Sequence, residues 1–178
     1  MQHLNIEIKA RCHRLDAIRS LLRRDGADFV GEDHQIDTYF VVPEGRLKLR
    51  EGTIEQSLIH YERPDEAGPK PSTVTRYEPD VPSELKAVLA EALGVWVVVD
   101  KRREIYVIDN VKFHLDRVSG LGTFVEIEAI GQGEAAQPED LHRQCNHYIA
   151  RFGLPEEALV AASYSDLLHR HQAATRAD

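Results

Sequence analysis

A chain of 178 residues is long enough for one substantial core, and 29% charged against 42% hydrophobic residues excludes a disordered protein. The formal charge of −8 argues against broad nucleic-acid or membrane-surface binding, although a local cationic cluster can oppose it and hold a small anion. No stretch approaches the roughly 18 apolar residues of a membrane span, and charge arrives by Glu7, so no signal peptide, no membrane contact and a cytoplasmic location are expected.

Asn5-Ile6-Glu7-Ile8-Lys9 opens with strict alternation, the period of a two-faced strand. Ile6, Ile8 and Ala10 share one face; Asn5, Glu7, Lys9 and Arg11 share the other. Leu15, Ile18, Leu21 and Leu22 predict a helix over 14–25 before Gly26. Phe29 to Val42 is β-rich, and Pro43-Glu44-Gly45 is a turn. Arg46-Leu47-Lys48-Leu49-Arg50 sets three cations against two leucines, and another strand covers 56–63. Pro64 to Thr73 holds three prolines and Gly68 and reads as a loop, too short for a domain linker.

Val74 to Glu78 resumes a strand with Arg76 and Glu78 on one face. A helix follows from Pro82, with Leu85, Val88, Leu89 and Leu93 as its stripe and Gly94 as its stop. Val95 to Ile108 is a strand with Lys101 and Arg103 on one face, and Asp109-Asn110 turns the chain. Val111, Phe113 and Leu115 alternate with Lys112, His114 and Asp116; Val125, Ile127 and Ala129 alternate with Glu126 and Glu128. A third helix from Pro138 carries Leu141, Cys145, Tyr148, Ile149 and Phe152 and ends at Gly153. The two cysteines, Cys12 and Cys145, have no metal-ligand or disulfide spacing, and Cys145 belongs to the apolar stripe. Ser163 to Leu168 predicts a short docked segment and 169–178 a frayed polar tail.

About eight strands joined mostly by short turns, with three or four helices, predict an α+β class with a largely antiparallel sheet, as one domain over 1–168. Any one wet strand face is ordinary. Here, however, the polar faces carry Lys, Arg, Asp and Glu almost to the exclusion of Ser, Thr and Gln, and the opposite faces are Ile, Leu and Val. If the amphipathic helices cover the apolar faces, the charged ones point into a closed tunnel. So many cations suit phosphate oxygens, and the carboxylates tolerate a phosphate only across a hard divalent cation. No P-loop, GxGxxG or HExxH motif competes with that reading.

The same residues resemble the CYTH, or triphosphate tunnel metalloenzyme, superfamily, most closely its class IV adenylate cyclase-like branch. The resemblance runs from Asn5 to Leu168. It rests on Asn5-Ile6-Glu7-Ile8-Lys9, Asp37-Thr38-Tyr39-Phe40, Leu47-Lys48-Leu49-Arg50, Arg76-Tyr77-Glu78 and Lys101-Arg102-Arg103-Glu104-Ile105-Tyr106. It rests further on Phe113-His114-Leu115-Asp116, Gly120-Leu121-Gly122, Phe124, Glu126-Ile127-Glu128 and Ser163-Tyr164.

This resemblance implies an eight-stranded antiparallel closed β-barrel with helices outside. It implies a triphosphate held by Lys9, Lys48, Arg50, Arg76, Lys101 and Arg103, and Mg²⁺ or Mn²⁺ held by Glu7, Glu126 and Glu128 with Asp116. Glu7, Lys9 and Glu126 are the implied catalytic residues. The chain departs from the family pattern twice. Asn5 stands where the hallmark has glutamate, and Glu62 stands at a lysine position, where Arg63 could restore the charge only through a bulge. His114 shares a face with Asp116 as a packing residue or a proton-transfer group. The expected activity is conversion of ATP to cyclic AMP and pyrophosphate. The alternatives are hydrolysis of thiamine, inorganic or nucleoside triphosphate, and a low-turnover nucleotide- or polyphosphate-binding module. A homodimer is expected by family analogy alone.

Overall fold

A strand that is apolar on one side and charged on the other must bury the first and hydrate or pair the second. The computed structural model, which describes residues 2–62, 66–79, 82–131 and 137–175, meets both needs by closing the sheet on itself. The strands are β1 (Gln2–Arg11), β2 (Asp28–Phe40), β3 (Arg46–Gly52), β4 (Ser57–Glu62), β5 (Lys70–Tyr77), β6 (Val95–Ile108), β7 (Val111–Val118) and β8 (Gly122–Ile130). Around the barrel they run β1-β5-β4-β3-β2-β6-β7-β8, each pair antiparallel, and β8 returns to β1. The helices are α1 (Leu15–Arg24), α2 (Pro82–Leu93), α3 (Pro138–Phe152) and α4 (Tyr164–Thr175). The expected α+β barrel with outer helices is therefore the observed fold.

The main core lies outside the barrel wall. Ile6, Ile8 and Ala10 of β1, Phe113 and Leu115 of β7 and Val125, Ile127 and Ala129 of β8 pack against Leu15, Ile18 and Leu22 of α1 and Leu141, Cys145 and Phe152 of α3. Gly153 ends α3 in the left-handed region at φ 59°, which a glycine enters without Cβ strain. The Cys145 thiol donates to the Ile6 carbonyl at 3.3 Å, and burial pushes its pKa up to about 12, so it is a packing residue.

Three expectations change. The predicted loop over 64–73 ends earlier, because β5 begins at Lys70 and includes Pro71. Pro71 stands opposite Ile6 of β1, and among the described residues β4 pairs with β5 from Thr73 to Tyr77. The stripe of α2 is only lightly covered: Leu85 and Leu89 are half-buried, and Val88 is 63% exposed. The polar tail after Leu168 continues as α4 to Thr175, so a boundary at 168/169 falls inside a helix. Arg63, the suggested replacement cation, lies outside the described residues.

Because Phe113 is fully buried between the barrel and α3, Phe113→Ala is expected to cost about 3–5 kcal/mol in urea unfolding. A cost below about 1 kcal/mol would contradict a core placed outside the barrel wall.

Candidate functional site

With the apolar faces under α1 and α3, alternation aims the other faces into the barrel, around a cavity of about 670 Å³. Lys9, Lys48, Arg50, Lys101 and Arg103 line it from β1, β3 and β6; Arg76 lines it from β5, close to Tyr77 and Glu78. Glu7, Glu126 and Glu128 face them from β1 and β8. The structure thus brings the sequence-predicted site residues together around one cavity, except Asp116, which lies just behind the lining, and Arg63, which is not among the described residues.

Asp37 on β2 organises the cationic wall. Its register partner on β3 is Arg50, and its neighbours Tyr39 and Gln35 oppose Lys48 and Lys101. Arg50 donates through Nε to Asp37 Oδ1 at 2.8 Å and through Nη2 to Oδ2 at 3.0 Å. Lys101 Nζ and Lys48 Nζ reach Oδ2 at 2.7 and 3.0 Å. Burial alone would push the Asp37 carboxyl up, but Arg50, Lys101 and Lys48 together hold it well below the usual range. One carboxylate cannot neutralise three cations. Burial, followed by repulsion from Arg50, Arg103 and Lys48, outweighs Asp37 and brings Lys101 down to about 7.

Glu55 closes this wall from the turn between β3 and β4. It accepts from Arg50 Nη1 at 2.9 Å and from Lys112 Nζ at 2.8 Å. The turn is wrapped on the buried Asp33 carboxylate, which accepts the backbone N–H groups of Thr53, Ile54 and Glu55 at 2.7, 2.9 and 3.0 Å. Gly52 makes this approach feasible, since a Cβ there would lie 2.5 Å from the Glu55 carbonyl oxygen and 2.8 Å from Asp33 Oδ1. Burial raises the Glu55 carboxyl and is overcome by Arg50 and Lys112, which hold it far below the usual range.

Two residues beyond Lys101 on β6, Arg103 grips Asp116 of β7 through Nε at 2.7 Å and Nη2 at 2.5 Å, and donates to Glu126 Oε2 of β8 at 2.6 Å. Lys9 Nζ lies 3.0 Å from Glu126 Oε1, and His114 Nδ1 lies 3.4 Å from Oε2. Against the upward push of burial, Lys9 and Arg103 keep Glu126 ionised, with its carboxyl well below the usual range. Asp116 is fully buried, with both oxygens taken by Arg103 and one also by the Tyr164 hydroxyl at 2.7 Å.

Glu7 and Glu128 stand directly opposite in register on β1 and β8. Neighbouring carboxylates repel unless a cation lies between them. Asn5 donates through Nδ2 to Glu128 Oε1 at 2.7 Å, while its Oδ1 is buried with no hydrogen-bond partner among the described residues. Two carboxylates and an orphaned amide oxygen fit a hard divalent cation. Among the described residues no three His, Cys, Asp or Glu side chains form a ready cage. Mg²⁺ needs none, since it commonly takes one or two carboxylates and completes its shell with water and phosphate oxygens.

Four contributors escape sequence reasoning. Asp37 stands in one of the motifs of resemblance with no role attached, and Lys112 lies on the charged face of β7 beside His114. Glu55 sits in a turn, where no periodicity points inward, and Tyr164 enters from the start of α4.

Two measurements follow from the cationic wall. Asp37→Asn removes the charge and keeps the shape, so it is expected to destabilise the protein by about 3–5 kcal/mol in urea unfolding, with inorganic triphosphate restoring more stability than it adds to the wild type. Wild-type stability in the variant would contradict the hub. Lys101 sits near 7 when folded against an ordinary 10.5. Between those values the unfolded chain binds the extra proton, so this group's contribution to stability rises with pH across that window. A bound polyanion favours the ammonium, so calorimetry at pH 8 in buffers of differing ionisation enthalpy should read uptake of about one proton per inorganic triphosphate, lost in Lys101→Met. Equal uptake by the variant would move the proton elsewhere.

Known proteins share this architecture. The CYTH domain family model matches residues 3–164. No curated protein matches the chain. Among solved structures, the PH1012 protein from Pyrococcus horikoshii OT3 is 29% identical, with a TM-score of 0.79 over 92% of this chain and 98% of its own. A candidate adenylate cyclase from Vibrio parahaemolyticus is 20% identical, with a TM-score of 0.74 over 93% of this chain and 97% of its own. HpAC1 from Hippeastrum, a candidate adenylyl cyclase with a dominant triphosphatase activity, is 16% identical, with a TM-score of 0.59 over 96% of each chain. The last two likenesses are of fold. With the family match spanning nearly the whole chain, this protein belongs to the CYTH domain family.

Proposed function

We propose that this protein is a divalent-metal-dependent enzyme that breaks a phosphorus–oxygen bond of a triphosphate inside the barrel, and that its reaction is of the class IV adenylate cyclase type. The observation that carries the reading is the Asp37 cluster: Lys48, Arg50 and Lys101 converge on one carboxylate in the barrel interior, with Glu55 as a second partner of Arg50 alone. Such an excess of buried positive charge is unfavourable until a polyanion enters.

Lys48, Arg50, Lys101 and Arg103 would take the non-bridging phosphate oxygens, exchanging hydrogen bonds now made to Asp37, Glu55 and Glu126. Arg76 and Lys9 would extend that contact along the cavity. Glu7, Glu128 and the Asn5 carbonyl oxygen would hold Mg²⁺ or Mn²⁺, with Glu126 adjoining; the ion, when bound, supplies Lewis-acid activation of the nucleophile and charge neutralisation at phosphate oxygens. Glu126, kept ionised by Lys9 and Arg103, is a weak proton acceptor and acts by its charge. Asp116 acts through Arg103.

In cyclisation the ribose 3′-hydroxyl of ATP gives its proton to solvent water, its oxygen bonds to the α-phosphorus, the bond from that phosphorus to its bridging oxygen breaks, and pyrophosphate leaves with charge met by the Asp37 cations. A neutral wall, Tyr39, Ile59, Tyr61 and Val74, offers an organic group a surface beside the charged one, which favours an organic triphosphate such as ATP over inorganic triphosphate. The second reading is hydrolysis, with water attacking the terminal phosphorus of an inorganic, thiamine or nucleoside triphosphate. It is favoured by the cation cluster itself, which needs only the phosphates.

Incubation with ATP, inorganic triphosphate and thiamine triphosphate in Mg²⁺ and in Mn²⁺, followed by chromatography, separates cyclic AMP and pyrophosphate from the products of hydrolysis. Metal-dependent turnover of at least one is expected, and none with any would overturn the enzyme. Arg50→Ala is expected to raise KM about 10–100-fold by removing a charged hydrogen-bond donor. Glu126→Ala should instead abolish metal-dependent turnover, and equal loss of metal affinity in both variants would contradict the division of roles.

A further inference from the structure

Tyr164 belongs to neither wall of the barrel, yet it lines the cavity from the first residue of α4. Its hydroxyl donates to Asp116 Oδ2 at 2.7 Å, and its ring lies under Lys9, with Nζ 4.0 Å from the centroid. Asp116 is gripped by Arg103, Arg103 reaches Glu126, and Glu126 pairs with Lys9. The contacts therefore form a closed circuit: Tyr164, Asp116, Arg103, Glu126, Lys9 and back to Tyr164. A core tyrosine needs one partner for its hydroxyl and apolar neighbours for its ring. This ring has the apolar neighbour Phe124 at 5.0 Å between centroids, and it also faces an ammonium, a cation–π contact between two buried side chains.

The segment leading to Tyr164 is tied to the same strand. Val160 N–H donates to the Lys9 carbonyl at 2.8 Å, and the buried Lys70 ammonium donates to the Ala161 carbonyl at 2.5 Å. At the start of α4, Ser163 Oγ accepts the Asp166 N–H at 3.0 Å and donates to its carboxylate at 2.6 Å. Arg46 of β3 holds the same carboxylate at 2.8 Å. The helix start is thus fixed from three strands, and with it the depth of the Tyr164 ring.

We propose that Tyr164 is a positioning residue of the triphosphate site: its hydroxyl sets the Asp116–Arg103–Glu126 alignment and its ring seats the Lys9 ammonium. The inference rests on the functional reading above and divides Tyr164 into two separable parts. Removing the hydroxyl leaves Asp116 Oδ2 to Arg103 alone and draws the guanidinium away from Glu126. Removing the ring unseats Lys9, a phosphate ligand.

Tyr164→Phe and Tyr164→Leu separate the parts. Tyr164→Phe is expected to lower kcat about tenfold with KM within about twofold of wild type, and Tyr164→Leu to lower kcat and also raise KM about tenfold. A merely structural tyrosine would lower Tm in both and leave kcat and KM per folded molecule unchanged. A readout free of activity is NMR of ¹³C-lysine-labelled protein, with the Lys9 signal assigned by its loss in Lys9→Arg. The ε-methylene protons over the Tyr164 ring should be shifted upfield in wild type and Tyr164→Phe, and return to the ordinary position in Tyr164→Leu. An unshifted Lys9 signal in the wild type, or wild-type kcat and KM in folded Tyr164→Phe, overturns the inference and leaves the functional reading standing. A shifted signal in a wild type that neither binds nor turns over triphosphate overturns that reading, and the role of Tyr164 with it.

Discussion

The protein depends on one buried carboxylate surrounded by more positive charge than it can neutralise. Asp37 is removed from water and holds Arg50, Lys48 and Lys101 within 3.0 Å. In so poorly solvated a place each uncompensated cation is unfavourable, and the penalty is visible in Lys101, brought down to about 7. The other ion pairs of the interior lie beside this cluster. Arg50 shares itself with Glu55, Glu55 draws in Lys112, and next to Lys101 on β6 Arg103 is balanced between Asp116 and Glu126. The interior is a lattice of carboxylates paired with lysine and arginine side chains.

That lattice explains why the fold is a closed barrel with its main core outside. A charged face this dense could not pack on another sheet, and an open sheet would let water screen the cations one by one. Closing the barrel keeps them mutually exposed, and the amphipathic helices α1 and α3 bury the opposite faces. The hydrophobic effect at the outer wall therefore holds the inner wall in its unfavourable arrangement. Stability and function draw on different faces of the same strands, which is why Ile6 and Ile8 serve the core while Glu7 and Lys9 serve the site.

What is legible in the sequence follows from that division. Period-two alternation assigns each strand residue to a face, so Lys48, Arg50, Lys101, Arg103, Glu126 and Glu128 read as inward-facing from the residue pattern alone. The fold class follows from the same pattern. Alternation says nothing of depth, and so Asp116 looks equivalent to Glu126 in sequence although it lies behind Arg103. Nor does it reach residues that enter from turns or helix ends. Glu55 arrives on a turn wrapped on Asp33, and Tyr164 on the first residue of α4, and in both cases long-range contacts decide the direction. Pro71 misleads for a local reason, since a proline usually marks a loop and here lies within β5, opposite Ile6 of β1.

Asn5 takes its meaning from the same electrostatics. A glutamate in its place would put a third carboxylate beside Glu7 and Glu128, where the register already sets two side by side. The amide instead donates to Glu128 and leaves its own oxygen unpartnered among the described residues. It thereby lowers the repulsion between β1 and β8 and still offers a neutral ligand oxygen. At the proposed metal position this means less negative charge from the protein itself, so that a divalent ion bound there would rely more on water and phosphate oxygens. Under the proposed function the ion and the triphosphate would then bind as a unit, with the cations around Asp37 and the carboxylates of β1 and β8 as two halves of one recognition surface.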